Sequence, residues 1–250
     1  MRRVSRLPYS VVLPASALAV GVLAWWAVVA AFAIPLSLLP SPIAVVDRLF
    51  SSPGLYARSA LETLLKTLVG GGLGVGGGFL VAVAVAHVRW FRRMVLPYLI
   101  ALRVVPKVAL APVFLLYVGL GFGTAVGFVA LLTFFPMTIS TAAGFKRVPD
   151  HQRELLRSVD AAWLSTLLAV ELPYALPDVL AGLKQSVVLA VVGAVVAEWL
   201  LEPSGLGYLV LVGSESVQMT VVLGAVVVLV CLSVALYGFV TLLQRRLSWT

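Results

Sequence analysis

Six long apolar segments separated by short polar stretches run through the whole sequence. They cover residues 10–34, 62–87, 94–118, 122–145, 175–201 and 219–243. Each is close to the ~20 residues that cross the hydrocarbon core of a bilayer as a helix. A backbone in lipid must satisfy its hydrogen bonds internally, and these runs do not alternate apolar and polar positions, so helices are predicted rather than barrel strands. We therefore expect an all-α, polytopic membrane protein with six transmembrane helices, folded as a single domain over residues 1–250.

The composition agrees with this pattern. Hydrophobic residues make up 62% of the chain, charged residues only 11%, and the mean hydropathy is +1.10. These values lie far outside the range of soluble domains. The first apolar segment continues past the triplet Ala17-Leu18-Ala19, which could mimic a cleavage site, as far as Ile34. This length fits a spanning helix better than a cleaved signal peptide.

The net charge of +8 comes from basic residues grouped in short clusters between the apolar segments. Such clusters indicate orientation, because the short cytoplasmic loops of membrane proteins are enriched in Lys and Arg. Twelve fall on one side, namely Arg2, Arg3, Arg6, Arg89, Arg92, Arg93, Lys146, Arg147, Arg153, Arg157, Arg245 and Arg246. The opposite side has only Arg48 and Arg58. We predict that both termini and the loop at 146–174 are cytoplasmic, and we expect no nucleic-acid partner.

Several kinds of chemistry are excluded by what the sequence lacks. Cys231 is the only cysteine, and His87 and His151 are the only histidines, so no zinc-ligand spacing can be built. The chain has no G-x-x-x-x-G-K-[ST] loop, no H-E-x-x-H and no G-x-S-x-G, which are the marks of nucleotide hydrolysis, metalloproteases and serine hydrolases. We expect no catalytic residue, no metal and no cofactor in this chain.

The longest polar interval runs from Lys146 to Pro177. Its capping signals predict two short helices, the first beginning at Asp150 and the second at Asp160, and we expect Pro173 and Pro177 to end the run. An apolar stripe at fourfold spacing lies beside charged positions, Leu155, Val159 and Trp163 next to Arg153, Glu154 and Arg157. This stripe favours a docking surface for a partner; the alternative is a solvated basic loop between two spans.

The second apolar segment carries GGGLGVGGG from Gly70 to Gly78, seven glycines in nine positions. Glycine lowers helix propensity by ~1 kcal/mol in water, but in a membrane it lets helix backbones approach closely. We predict close packing against a neighbouring helix rather than a flexible gate. No strand precedes the run, so it is not a nucleotide-binding loop.

Four basic residues stand at apolar positions: Lys66, Arg103, Lys107 and Lys184. A cation in the bilayer core costs ~2.5 to 3.5 kcal/mol on insertion scales, so such residues usually face protein or water. We expect Pro97, Pro106 and Pro112 to break the third segment, and interrupted helices with ionisable groups are typical of transport paths. The predicted translocation path comprises Arg103, Pro106, Lys107, Phe134, Phe135, Lys184 and Glu198.

Other interpretations of these residues stay open at this point. Arg103 can lie near the cytoplasmic end and extend its charge to the interface. Phe134-Phe135-Pro136 can be a packing kink rather than a constriction. Glu198 can be hydrated near the interface, or it can order the outer loop, where Gly205 and Gly207 predict a tight turn.

Five fragments follow one another in a specific order along the chain. They are LPSPIAVV at 39–46, RVVPKVALAPVFLLYVGLG at 103–121, FFPMTISTAAGF at 134–145, ALPDVLAGLKQS at 175–186 and PSGLGYL at 203–209. In this order the chain resembles the permease subunits of binding-protein-dependent ABC importers, in the nitrate, sulfonate, taurine and thiamine-precursor group. The resemblance covers nearly the whole chain and implies the type I ABC importer permease fold.

The cytoplasmic signature of that family is Glu-Ala-Ala, three residues, Gly, nine residues and Ile-x-Leu-Pro. Glu154 takes the acidic position, Asp160 the glycine position, and Val170–Pro173 closes the motif at the expected distance. By this resemblance the loop at 146–174 is the coupling-helix loop that docks into an ATPase, through Glu154, Leu155, Leu156, Asp160, Ala161, Trp163 and Pro173. Two leucines replace the family's alanines, which favours a dedicated ATPase with a matching groove. Asp160 replaces the glycine, and Asp tolerates left-handed geometry better than most residues.

The resemblance also implies the assembly and the cargo. We expect two permease copies as a homodimer, cytoplasmic ATPase subunits that bind ATP and magnesium, and an extracytoplasmic solute-binding protein, in the lipid of a prokaryotic inner membrane. The intramembrane cations favour a small anion such as a sulfonate, nitrate or taurine; the alternative is a vitamin precursor such as a pyrimidine or flavin. A different class, a nucleotide-independent secondary transporter or channel, would need ion-coupling acids at the midplane, and none is clearly placed there.

Overall fold

The computed structural model describes residues 7–149, 151–152, 154, 158 and 160–247, and the backbone alone for residues 7–11, 103 and 247. Its α-helices are α1 (Leu7–Ala31), α2 (Pro42–Ser51), α3 (Pro53–His87), α4 (Arg89–Val104), α5 (Ala111–Val118), α6 (Phe122–Phe145), α7 (Trp163–Thr166), α8 (Leu172–Leu200), α9 (Leu206–Glu215) and α10 (Met219–Leu247). A 3-10 helix at Lys107–Leu110 precedes α5, and a π-helix at Leu167–Glu171 joins α7 to α8. The described residues contain no strand, so the all-α class is confirmed.

Among the described residues, five helical stretches are long and apolar enough to cross a membrane, at 12–31, 53–87, 122–145, 163–200 and 219–246. A sixth span is present if α4 and the stretch 107–118 are counted together. The axes of these two stretches are bent by 97° relative to each other. The break follows Val105, whose backbone lies in the β region because the ring of Pro106 disfavours a helical residue before it. Pro97 lies inside α4 and Pro112 in the first turn of α5. The prediction of three breaks was therefore wrong, and only Pro106 stands at the break.

The packing of α3 against α6 forms the centre of the bundle. Gly70, Gly74 and Gly78 recur every fourth residue on the side of α3 that faces α6. A Cβ on Gly74 would lie 2.3 Å from the carbonyl oxygen of Ala130, whereas one on Gly72 would meet nothing within 4 Å. The close packing predicted from the glycine run is confirmed, because a side chain on this face would force the two backbones apart.

Helix α8 packs along another side of α6. A Cβ on Gly182 would lie 2.8 Å from Cβ of Ser140, so glycine again allows the close approach. Next to this contact the Ser186 hydroxyl donates to the Thr133 carbonyl at 2.9 Å. This bond gives the buried Ser186 hydroxyl a partner one turn before Pro136, and it links α6 to α8.

The helix that begins in the polar interval continues through Pro173 and Pro177. Residues from Trp163 to Leu200 form one helical stretch, with Pro173 in the first turn of α8 and Pro177 inside it. The N–H of Leu172 donates to the Leu167 carbonyl in the π-helical pattern. Proline is tolerated near a helix start, where its missing N–H costs least, so the prediction that Pro173 and Pro177 terminate the run was wrong.

Beyond α8 the chain turns back as the short helix α9 and then enters α10. Tyr56, Leu206 and Ala225 form a small buried cluster where α3, α9 and α10 meet. The Tyr56 ring fills the space beside Gly224, where a Cβ would lie 2.6 Å from the phenolic oxygen. The start of α9 is therefore anchored to both neighbouring spans.

Helix α1 lies at the edge of this arrangement. Only 6% of its spanning window is buried, with Val29 among the buried residues, and its main packing partner in the chain is α2. The amphipathic element predicted after the first span is α2, which Ser41 caps by accepting a hydrogen bond from the N–H of Ala44.

Candidate functional site

A cavity of about 220 Å³ is lined by residues of α6, α8 and the 3-10 helix that follows the Pro106 break. Lys107 lines it, with its ammonium 4.9 Å from the centroid of the Phe135 ring. Gln185 of α8 and Ser140 of α6 add an amide and a hydroxyl to the wall. A cation, two hydrogen-bonding groups and an aromatic face in one concave site can hold a small polar solute.

A second groove of about 360 Å³ shares Gln185 and Leu189 of α8 with this cavity. Lys184 lines the groove, with its ammonium 5.5 Å from the centroid of the Tyr237 ring. Two lysines therefore flank the same part of α8, each beside an aromatic ring. Lys107 and Lys184, which the sequence grouped by residue type alone, lie on adjoining cavities in the structure.

The other residues of the predicted path lie elsewhere. Phe134 packs edge-on against Phe135, with ring centroids 5.3 Å apart, and joins the apolar cluster around Ala82 of α3. The backbone of Arg103 lies in the last turn of α4. Glu198 stands thirteen residues beyond Gln185, about 20 Å along the same helix. The cavity therefore brings together Lys107 and Phe135 next to Pro106, and it does not bring Phe134 or Glu198 to its wall.

Glu198 is instead part of a buried polar cluster with Lys66. The Lys66 ammonium lies 3.1 Å from Oε1 of Glu198 and 3.2 Å from Oε2 of Glu202. It also donates to the Ser204 carbonyl at 2.9 Å and to the Ser204 hydroxyl at 2.8 Å. Lys66 is 1% exposed and Glu198 is 0% exposed, so both charges depend on each other and on the turn after α8 for their neutralisation.

The Glu198 carboxylate holds the turn that follows α8. Its Oε2 accepts from the N–H of Gly207 at 2.7 Å, and its Oε1 accepts from the Thr63 hydroxyl at 2.8 Å. Thr63 in turn accepts from the N–H of Leu206 at 2.9 Å. Gly205 has a φ of 97°, and a Cβ there would lie 2.1 Å from Glu198 Oε1. The predicted tight turn is present, and the carboxylate fills the space that a side chain at 205 would need.

The sequence singles out Lys66 and Glu198 separately, and it does not predict that they form an ion pair. They are 132 residues apart, and no local spacing connects them. One signal was available, since a cation and an acid that both stand in apolar spans are expected to neutralise each other.

At the other end of α3, His87 connects the helix to the polar interval. Its Nε2 lies 2.5 Å from Oε2 of Glu171, and its Nδ1 contacts the Val83 carbonyl oxygen at 2.8 Å. The rings of Phe145 and Trp163 both pack edge-on against the imidazole, each with centroids 5.8 Å away. Helix α3, the end of α6, α7 and the π-helix therefore meet at one side chain.

Asp160 has a φ of 48°, in the left-handed region. The family signature has glycine at this position, and an aspartate here supplies the same backbone geometry. The N-cap of α7 is Ala162 rather than Asp160, so the predicted capping role was wrong while the predicted turn is present. After this turn, the Trp163 ring packs against the imidazole of His87.

The remaining predicted docking residues are distributed around this turn. Glu154 is exposed, Ala161 is half-buried, Trp163 is 56% exposed despite its contact with His87, and Pro173 is exposed in α8. Outside the described residues lie Asp150, Arg153, Leu155, Leu156, Arg157 and Val159. The described members present a partly apolar, partly acidic surface.

Within the described residues no group of three or more His, Cys, Asp and Glu is arranged to hold a metal ion. Long apolar helices around a polar cavity, with a lysine at an interrupted span, define the chain as a polytopic membrane transport protein.

Comparison with known proteins identifies its family. Residues 74–249 match the family described as the binding-protein-dependent transport system inner membrane component. The chain belongs to this family of ABC importer permeases, which are integral inner membrane proteins and are not themselves catalytic.

Individual relatives agree with this assignment. A probable ABC transporter permease protein of Haemophilus influenzae is 32% identical over 93% of this chain and 96% of its own length. A formylaminopyrimidine transport permease of Halalkalibacterium halodurans is 37% identical over 68% of this chain and 69% of its own. Permeases named for riboflavin, aliphatic sulfonates, taurine and nitrate also match, at 28 to 32% identity.

The fold is shared with solved transporters as well. An inward-facing structure of the MetNI methionine ABC transporter superposes with a TM-score of 0.69 at 20% identity, over 79% of this chain and 98% of that one. This likeness confirms the importer permease fold predicted from the sequence resemblance.

Proposed function

We propose that the chain is the permease subunit of an ATP-driven importer, and that the cavity beside Lys107 lies on the path of a small solute. The observation that carries this proposal is the cavity itself, which lies at the bent span found among the described residues. A broken helix frees backbone groups and admits polar side chains at membrane depth, which is where solute sites of transporters form.

The energy comes from a partner, because the chain has no phosphate-binding loop of its own. The loop at 146–174 docks on a cytoplasmic ATPase that binds ATP and magnesium. Support comes from the exposure of Glu154 and Trp163, and from the left-handed Asp160 at the family's glycine position. A second copy of the chain completes the path, and an extracytoplasmic binding protein delivers the solute.

The end of the bundle that carries His87 and the loop at 146–174 faces the cytoplasm. The basic clusters at Arg89–Arg93 and Lys146–Arg147 lie at this end, next to His87 and the end of α6. Short cytoplasmic loops concentrate such residues. The Glu198 turn and α9 then face the binding protein.

The solute is a small anion or a vitamin precursor. Lys107 and Lys184 on adjoining cavities favour an anion such as a sulfonate, nitrate or taurine. The aromatic rings beside both lysines suit a flat heterocycle as well, and relatives named for formylaminopyrimidine and riboflavin support the second class.

The proposal is tested by ATP-driven uptake into proteoliposomes that hold the permease with its ATPase and binding protein. Lys107→Ala should lower uptake by about ten- to a hundredfold, because a charge-assisted contact contributes ~1.5 to 3 kcal/mol. Lys107→Arg should restore uptake of an anion. Arg58→Ala, which removes an exposed cation that pairs with Glu62, is the matched control and should leave uptake unchanged.

Two results would contradict the proposal. Uptake driven by an ion gradient without nucleotide would place the chain in another transporter class. An unchanged rate in Lys107→Ala would remove the cavity from the path.

ATPase docking has its own test. Glu154→Lys should abolish co-purification with the ATPase while membrane insertion persists. Glu215→Lys, at an exposed acid in α9, should keep the complex intact. Equal recovery of the ATPase with both variants would contradict docking at this loop.

A further inference from the structure

A large groove lies on α4, away from the cavity of the proposed path. It has a volume of about 640 Å³ and is lined by Arg89, Arg92, Arg93, Leu96, Pro97 and Ile100. These positions follow the spacing i, i+3, i+4, i+7, i+8, i+11, so they form one face of a single helix. The proposed transport mechanism leaves this groove without a role.

The groove is divided by chemistry along its length. Three guanidinium groups stand at the N-terminal end of α4, directly after α3 ends at His87, and apolar side chains fill the other end. From Arg89 to Ile100 the helix rises by about 16 Å, which is close to half of the ~30 Å hydrocarbon core. A molecule with a charged head and an apolar tail of one leaflet's depth matches this division.

The arginines are available for a ligand. All three are exposed, and within the described part of the chain none of them lies in an ion pair with a carboxylate. Guanidinium groups bind phosphate oxygens in a bidentate manner. Three of them on one helix turn attract an anion of more than one oxygen.

One aromatic residue indicates the depth at which the start of α4 lies. Trp90 is 63% exposed and directly follows Arg89. Trp and Tyr are enriched where a membrane helix meets the headgroup region, because their rings are apolar and their polar atoms need water. The exposed Trp90 ring beside these arginines therefore favours the membrane surface over a protein interface.

We propose that this groove on α4 binds an anionic phospholipid, with the headgroup phosphate on Arg89, Arg92 and Arg93 and an acyl chain along Leu96, Pro97 and Ile100. The bound lipid belongs to the leaflet on the His87 side, which is the cytoplasmic leaflet in the proposed orientation. Anionic lipids concentrate there and attract basic clusters. The site lies at the start of α4, which is the first half of the bent span at 89–118. The bound lipid therefore stabilises one end of that span.

The test uses the purified full chain in detergent, titrated with phosphatidylglycerol or phosphatidylcholine and followed by native mass spectrometry. Wild type should retain phosphatidylglycerol at least about tenfold more tightly than phosphatidylcholine, since each arginine near an anionic headgroup contributes roughly fivefold. The triple variant R89Q/R92Q/R93Q should lose this preference. R245Q/R246Q, which removes exposed cations from the end of α10, should keep it.

Removing three arginines also weakens a topological signal, so two further variants keep the test decisive if the triple variant fails to insert. R89K/R92K/R93K preserves the charges and should keep a reduced preference. Arg92→Gln alone should lower the preference by roughly fivefold.

Three outcomes would overturn the proposal. Equal retention of the two lipids by wild type would exclude a headgroup site. Full displacement of phosphatidylglycerol by inorganic phosphate would make the groove a solute site. Loss of the ATPase from the triple variant, with the lipid preference unchanged, would make it a protein interface.

Discussion

The Lys66 ammonium lies 3.1 Å from the Glu198 carboxylate in a site where both side chains are almost completely buried. Lys66 belongs to α3 and Glu198 to α8. The same two helical stretches meet again at the other end of the bundle, where His87 contacts Glu171 in the π-helix that leads into α8. Twenty-one residues separate the two contacts on α3, about 32 Å of helix. These paired contacts link the 146–174 loop to the turn after α8.

We first predict that Lys66→Met destabilises the protein strongly. The substitution leaves Glu198 buried without its cation, and breaking one member of a buried pair typically costs ~3 to 5 kcal/mol. The double variant K66M/E198M should recover only part of this loss, because it removes the unpaired Glu198 charge but leaves the buried N–H of Gly207 without its acceptor. Thermal unfolding of the purified permease, followed in detergent, measures both effects.

Arg58→Met is the control for this prediction, because Arg58 pairs with Glu62 at 3.2 Å on the surface and its side chain is 84% exposed. Exposed pairs contribute only ~0 to 1 kcal/mol. Equal melting temperatures for Lys66→Met and Arg58→Met would show that the buried pair is not the stabilising feature.

Our second prediction concerns the contact at the opposite end of α3. His87→Ala removes one partner of Glu171 and the ring against which Trp163 and Phe145 pack. We expect the ATPase to remain bound while uptake per ATP hydrolysed falls severalfold, because the loop loses its link to α3. Parallel assays of ATP hydrolysis and uptake in proteoliposomes measure the ratio.

The matched control for His87 is His151→Ala, at the other histidine of the chain, which is exposed. It should leave the coupling ratio unchanged. If His87→Ala instead released the ATPase, the imidazole would act in docking rather than in transmission.

Third, Gly74→Ala should disrupt the contact between α3 and α6. Its Cβ would lie 2.0 Å from Thr133 Oγ1 and 2.3 Å from the Ala130 carbonyl oxygen, too close for side-chain movement alone to relieve. Gly72→Ala places the same methyl group in open space and should be neutral or slightly stabilising, since alanine is the better helix former. A similar loss of folded protein for both, measured by fluorescence size-exclusion chromatography, would argue against the tight α3–α6 contact.

Fourth, Asp160→Gly should preserve ATPase association, and Asp160→Val should weaken it. At a φ of 48° a β-branched residue is strained, by ~1 to 2 kcal/mol or more, whereas glycine is not. Co-purification of the ATPase with each variant measures the difference. Equal loss with Gly and Val would mean that the carboxylate, rather than the turn, is what the partner recognises.

Much of the fold followed from local pattern. Helix α6 covers the same residues as the fourth apolar segment, 122–145, and the glycine run meets a neighbouring helix as its spacing requires. Both features depend on the chain's own periodicity and on the length of a bilayer. The errors arose at prolines, since Pro97 and Pro177 lie inside helices, and whether a proline breaks a helix depends on tertiary partners for the freed carbonyls.

The sequence by itself therefore determined that this chain is a helical membrane protein of the importer permease family, because apolar length and motif order are properties of the linear chain. The tertiary structure decided which charged residues meet. Lys66 and Glu198 form an ion pair although they are 132 residues apart in the sequence. Glu198 therefore lies away from the predicted path, whereas Lys107 lines a cavity together with Gln185. The physical reason is burial, because a charged side chain in an apolar bundle needs an oppositely charged partner or a polar cavity. Only the packing of the helices determines which partner or cavity lies close to each charge.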